Sequence, residues 1–259
     1  MSRRFIFTVD LDRDVNIPVA GEVAAGSIDR GSGTQPRFTS TEKGLDSLSD
    51  LLDDIGMKAT FFVEGRTSEV IDCSSLSGHC IGFHGYDHED LLGMDTGIEV
   101  DCETVLTKGF DAVSDNISKP VCFRAPYMRA DERILDVVSR LGIRHDSSVY
   151  RTRDDGLDPY RTVGGMTEHP VPKSKDSNGK TIVAYLWPMH EGKRRPEDYI
   201  AMSNDLECDE FILATHTWHL VESYESGLMS EKRMESNMCD LRRVLEGIMD
   251  SGRTSDTLV

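Results

Sequence analysis

Asp10-Leu11-Asp12 closes the first apolar run of this chain, and His84-Gly85-Tyr86-Asp87-His88 follows the third. Two imidazoles four residues apart, joined by a carboxylate from a distant segment, make a donor set for one divalent metal. Three protein ligands leave coordination positions for water and substrate, the pattern of a catalytic site. Zinc heads the candidates, and cobalt or nickel is acceptable to the same donors. A second carboxylate beside the ion could take a proton from water. Two aspartates this close raise each other's pKa unless a cation intervenes, and a divalent ion supplies it. The chemistry indicated is hydrolysis. Blander readings stand beside it: histidine pairs at this spacing arise by chance on helices, and Arg13 and Asp14 extend Asp10-Leu11-Asp12 into what could be a solvated acidic loop.

Arg124-Ala125-Pro126-Tyr127 follows another short apolar run. It could be a plain proline turn. Its functional reading gives Arg124 an ion pair that keeps Asp10 ionised and oriented. The backbone fixed around Pro126 would aim the Tyr127 amide at a developing oxyanion. His216, after Phe211-Ile212-Leu213-Ala214, is a candidate general acid for a leaving amine; Asp146, at another strand end, is expected to orient it. His145, His169, His190 and His219 have no comparable surroundings and are read as structural.

These residues must be positioned by the elements that precede them. Strand-like runs at 5–9, 58–63, 78–83, 121–123, 181–187 and 210–215 alternate with helical periodicity. Thr39 and Glu42 suggest a capping box for a helix carrying Leu45, Leu48, Leu52 and Ile55, which Gly56 stops. A second helix is expected over 98–115, a third through Ile134, Val137, Val138 and Leu141 to Gly142, and a last through Met234, Met238, Leu241, Leu245 and Ile248. Alternating βα units predict parallel strands with outer helices. In a barrel of that kind the C-terminal strand ends share one rim, where scattered residues meet in one pocket. Glycines in the first loop, residues 15–37, suggest a lid.

The 259 residues fit one large α/β domain, 1–259, that needs no disulfide or structural metal for stability. A formal charge of −17, from 46 Asp+Glu against 29 Lys+Arg, argues against nucleic acid and anionic membrane as partners. Six scattered cysteines without a Cys-x-x-Cys pair read as reduced thiols. No stretch resembles a signal peptide or membrane span, so the cytoplasm is the expected location.

Laid in order, these segments resemble the polysaccharide deacetylase family, carbohydrate esterase family 4. Thr8-Val9-Asp10-Leu11-Asp12 resembles its first motif, Gly78 to His88 its metal-binding motif, and Phe123 to Tyr127 its Arg-x-Pro-Tyr motif. Asp146-Ser147-Ser148 and Leu213-Ala214-Thr215-His216 are similar to its fourth and fifth motifs, and Met166 to Pro172 to a Glu-x-Pro stretch between them. Leu11 separates the aspartates that the commonest first motif has adjacent, which resembles an Asp-x-Asp subgroup including peptidoglycan deacetylase-like proteins and C–N hydrolases with other substrates. The resemblance implies a distorted (β/α) barrel of about seven parallel strands, with metal on Asp12, His84 and His88 and Asp10 as base. The implied activity is amide hydrolysis on an N-acetylated carbohydrate.

Two other readings stay open. One is a hydrolase of a small cyclic amide, formamide or ureide using the same pocket, closed by homo-oligomerisation. The other is a non-catalytic glycan-binding module, which predicts no metal and disrupted geometry. An open groove would favour the oligosaccharide, a small closed cavity the small amide.

Overall fold

The apolar run at the N-terminus forms strand β1 (Arg4–Leu11), whose side chains from Phe5 onward are all buried. Burial on both faces is what a continuous β-prone run requires, and it is met in a parallel sheet covered by helices. The computed structural model describes residues 3–28, 35–162 and 164–259. The hydrogen-bonded order is β9 (Glu210–His216), β1, β2 (Thr60–Val63), β3 (Cys80–Phe83), β4 (Cys122–Phe123), β5 (His145–Asp146) and β6 (Thr167–Glu168). These seven strands pair in parallel throughout. Among the described residues a short segment, Thr254–Asp256, adds to β1, and Tyr160–Arg161 runs antiparallel beside β6.

The sheet curls toward closure through a seam. Beyond β6 the chain continues into β7 (Val171–Lys175), and the Ala184 amide donates to the Pro172 carbonyl there at 2.8 Å. The Ala214 amide of β9 donates to Ala184 at 2.9 Å, and Leu186 donates to Ala214 at 2.8 Å. Tyr185 thus forms a parallel bridge with Ala214. The sheet is a distorted (β/α) barrel, as expected.

The register decides the site. Asp10 lies opposite both His216 and Phe62, Val63 opposite Phe83, Phe83 opposite Phe123, and Phe123 opposite Asp146. The residues following those positions therefore share one rim. Helix α1 (Thr39–Asp54) ends where Gly56 takes φ +65°. Helix α2 (Gly65–Val70) follows β2, and helices α3 (Cys102–Asn116) and α4 (Glu132–Arg140) are N-capped by Asp101 and Asp131, which accept from the Thr104 and Ile134 amides. Helix α5 (Pro196–Asp205) and the last helix, α6 (Glu231–Asp250), pack together on the outside.

Three local expectations change. The capping box of Thr39 and Glu42 does not form: the carboxylate of Asp14, from the loop after β1, accepts from the Ser40 and Thr41 amides at 3.1 and 2.8 Å. The second helix starts at Cys102 and not at 98, because Asp101 caps it. The run 181–187 splits into strand β8 (Thr181–Val183), outside the main sheet, and a turn of helix at Trp187–His190 with Pro188 in its first turn. In the suggested lid, Asn16–Pro18 pairs with Ala25–Ser27 as a hairpin, and residues 29–34 lie outside the described residues.

Candidate active site

Asp12, His84 and His88 converge at the rim, each buried, with one potential ligand atom from each lying within 4.8 Å of the others. His88 Nε2 is 3.4 Å from Asp12 Oδ2. His84 donates Nδ1–H to the Arg124 carbonyl at 2.7 Å, a contact that fixes the tautomer and leaves Nε2 free to act as a ligand. Asp12 Oδ1 and His88 Nδ1, although buried, have no hydrogen-bond partner among the described residues. Burial, with Glu64 and Asp10 adding negative charge nearby, pushes the Asp12 carboxyl well above its ordinary range. Burial pulls the histidines down, His88 well below the usual imidazole value, so both are neutral. One carboxylate that lacks a counter-charge and two neutral imidazoles fit a divalent cation, and zinc suits these donors.

Asp10 has a different environment. Arg124 Nη1 donates to its Oδ1 at 2.8 Å, and the Tyr185 hydroxyl donates to its Oδ2. Burial opposes its charge, but Arg124, His84, His216 and the Tyr185 bond outweigh it and hold the carboxyl below its ordinary range. Arg124 is itself completely buried and is fixed by Thr8 Oγ1, the Ser147 carbonyl and Ser147 Oγ. Two carboxylates two residues apart are thus pushed in opposite directions, which marks functional sites and separates a base from a ligand.

Tyr127 sits in the turn after β4 with φ 58° and ψ 12°, a left-handed conformation unusual outside glycine. Its ring meets His88 edge-on, with centroids 4.5 Å apart. His216 Nε2 lies 3.2 Å from the Tyr185 hydroxyl and 3.8 Å from Asp12 Oδ2. Burial brings its pKa down to about 3, so it rests as a neutral imidazole.

One expected relationship is corrected. Asp146 does not orient His216: its Oδ1 accepts from Ser148 Oγ at 2.6 Å, and its register neighbour on β6 is Glu168. His216 Nδ1 has no hydrogen-bond partner among the described residues. The group that reaches His216 is Tyr185, which sequence reasoning missed. The histidines read as structural stay so: His190 bonds Thr215, His219 bonds Glu191, and His169 bonds His145 and Glu210.

A cavity of about 160 Å³ opens between these groups. Asp10, His84, His88 and His216 line its base, and six of its lining residues are Tyr or Trp. Tyr150, Trp187 and Tyr224 stand at its mouth, 40%, 41% and 45% exposed. This is an apolar, ring-lined opening over a polar floor. Of the six, only Tyr127 was legible as part of a site.

Residues 21–145 match the polysaccharide deacetylase family. A Mycobacterium smegmatis structure assigned to the polysaccharide deacetylases superposes with a TM-score of 0.60 at 20% identity, covering 100% of this chain and 94% of that one. The chain carries the polysaccharide deacetylase fold. A peptidoglycan deacetylase-like protein of Gibberella zeae is 32% identical over 113 residues, 41% of this chain and 32% of its own. A chitin deacetylase from a Pestalotiopsis species is 32% identical over 106 residues, 37% of this chain and 34% of its own. The match thus spans about a third of the length of each of these relatives. The family segment includes His84, His88 and Arg124, whereas Asp10, Asp12 and His216 lie outside it and are brought in by the fold. No helix among the described residues is long and apolar enough to cross a membrane.

Proposed function

We propose that this chain is a metal-dependent amide hydrolase that removes the acetyl group from an N-acetylated sugar. The observation that carries the reading is a metal-competent triplet whose two histidines line the same cavity as a separately clamped, ionised Asp10. Asp12, His84 and His88 would hold the metal, zinc by preference. When bound, such an ion polarises the amide carbonyl and lowers the pKa of water.

The chain's own groups supply the rest. Asp10, held anionic by Arg124, takes the proton of the attacking water. The Tyr127 amide, presented by its left-handed turn, donates to the oxyanion. In the resting site the Tyr185 hydroxyl keeps its proton and donates its one hydrogen bond to the anionic Asp10. Once Asp10 holds the water's proton, it passes that proton to the Tyr185 oxygen as the hydroxyl passes its own to His216 Nε2, and the resulting imidazolium protonates the departing nitrogen. The water oxygen ends on the acyl carbon, the C–N bond breaks, and the proton ends on the amine. This route also accounts for a His216 that rests neutral.

The relatives described as chitin deacetylase and peptidoglycan deacetylase-like protein support an N-acetylated carbohydrate as substrate. The cavity is smaller than the roughly 300–1,000 Å³ of sites that engulf a drug-sized ligand. It suits an acetamido group with part of one ring, and the exposed aromatic mouth suits the apolar faces of further rings. A small amide would fill the same cavity but has no use for the mouth. Six free cysteines fit a reducing compartment, the cytoplasm. The test is acetate release from N-acetylglucosamine oligomers by zinc-loaded protein, beside the Asp10→Asn and His84→Ala variants. Activity lost in both variants supports the reading; no release from any oligomer, or near-full activity in either variant, sinks it.

A further inference from the structure

We infer that Arg13, through Asp87 and Glu64, is the positioning residue that holds Asp12 and His88 in register for one ion. The inference rests on the metal reading of Asp12, His84 and His88 and extends it to a residue that touches neither ion nor substrate.

Arg13 follows Asp12 directly and is 1% exposed. Its amide donates to Glu64 Oε2 at 2.9 Å, which pins the backbone immediately after Asp12 to the end of β2. Its Nε donates to Glu64 Oε1 at 2.7 Å, and Nη2 bonds both Glu64 and Asp87. Nη1 donates to the Ala25 carbonyl at 2.6 Å, and the Ala25 amide donates to the His88 carbonyl at 3.3 Å. The contacts close a ring: Arg13 to Asp87, along the chain to His88, across to Ala25 and back to Arg13.

His88 needs such a ring. Its φ is 51°, left-handed backbone that a residue with a Cβ keeps only where its surroundings over-determine it. Three sets of bonds do so. Arg13 and Arg66 grip the Asp87 carboxylate, Arg66 at 2.9 and 3.0 Å. Glu89 accepts from the Tyr86 and Asp87 amides at 3.1 and 2.9 Å. Ala25 holds the His88 carbonyl. Among the described residues, the guanidinium is the one group bonded both to the carboxylate that fixes the Asp12 backbone and to the carboxylate beside His88. It reaches three partners because its donors are spread on a rigid fork; a lysine ammonium is a compact point charge that cannot span them. A buried Arg–Glu pair serving stability alone would not need the further bonds to Asp87 and Ala25.

Metal binding tests this directly. Apoprotein is titrated with zinc by calorimetry and with cobalt(II) by visible absorption, for wild type, Arg13→Lys and Asp87→Asn, with near-ultraviolet circular dichroism to verify folding. Wild type is expected to bind one equivalent. Both variants are expected to bind about 10–100-fold more weakly, as when an outer partner of a ligand is removed, with an altered cobalt spectrum. Folded variants with wild-type affinity overturn the inference and leave the metal reading standing. A wild type that binds no ion overturns both. If Arg13→Lys fails to fold, Asp87→Asn decides alone, since Asp87 lies at the partly exposed edge of the network.

Discussion

Tyr185 and Asp10 stand 175 residues apart in sequence and share a buried hydrogen bond. Arg124 occupies the other carboxylate oxygen, so both oxygens of Asp10 have assigned donors and its plane is fixed. Removing the hydroxyl in Tyr185→Phe keeps the ring and its packing but breaks the link to His216. The expected result is a fall in kcat of about 100-fold, the low end for acid–base groups, with KM and zinc affinity unchanged. Steady-state acetate release checks it, and a wild-type kcat would remove Tyr185 from the reaction.

Gly109 of α3 seats the loop that carries both histidines. A Cβ there would meet the Gly85 carbonyl oxygen at 2.5 Å and the Tyr86 amide nitrogen at 2.9 Å, both backbone atoms that cannot swing away. Gly109→Ala is therefore expected to cost about 1–3 kcal/mol by overpacking, and to weaken zinc binding as the loop is displaced. Urea unfolding and metal titration read the two effects. Full stability with full affinity would mean the loop moves freely.

Glu191 accepts from His219 Nε2, Ser223 Oγ and the Tyr224 amide, each at 2.8 Å, and so braces the wall formed by Trp218 and Tyr224. Burial opposes its charge, but these donors win and bring its pKa down to about 2. A carboxyl with a depressed folded pKa contributes stability above its unfolded value, and loses it as pH falls through the folded one. Glu191→Gln should therefore destabilise at pH 7 by up to about 3 kcal/mol, at about 1.4 kcal/mol per pKa unit. The gap should narrow below pH 4.5 and close near pH 2. Unfolding curves at several pH values measure it; a gap independent of pH would exclude the charge as its source.

Trp187 at the cavity mouth carries no group the reaction needs. Trp187→Ala is expected to raise KM for N-acetylglucosamine oligomers by up to about tenfold, within the range of aromatic contacts worth about 0.5–1.5 kcal/mol, while kcat holds. A monosaccharide or small amide should be affected less. Equal effects on all substrates would favour the small-amide reading.

The candidate residues on β1, β3, β4 and β9 were legible because they terminate apolar runs, and parallel register carries such ends to a common rim. Asp146 was legible for the same reason, yet its role was not. A strand end fixes height in the barrel but not which neighbour the side chain meets, and the neighbour on β6 is Glu168. Tyr185 left no signal because it belongs to an isolated bridge and not to a strand of the main sheet. The start of α1 was misread for a related reason: its cap comes from Asp14, a residue distant in sequence, and local spacing cannot reveal a donor or acceptor brought in by tertiary folding.

The stretch that knits the last staves of the barrel together also delivers the hydroxyl that clasps Asp10. Reactivity and closure are consequently mechanically linked. A breathing motion at this suture, far short of unfolding, would unlatch Asp10 first, so the proposed hydrolysis would stop before the rest of the sheet registers any change.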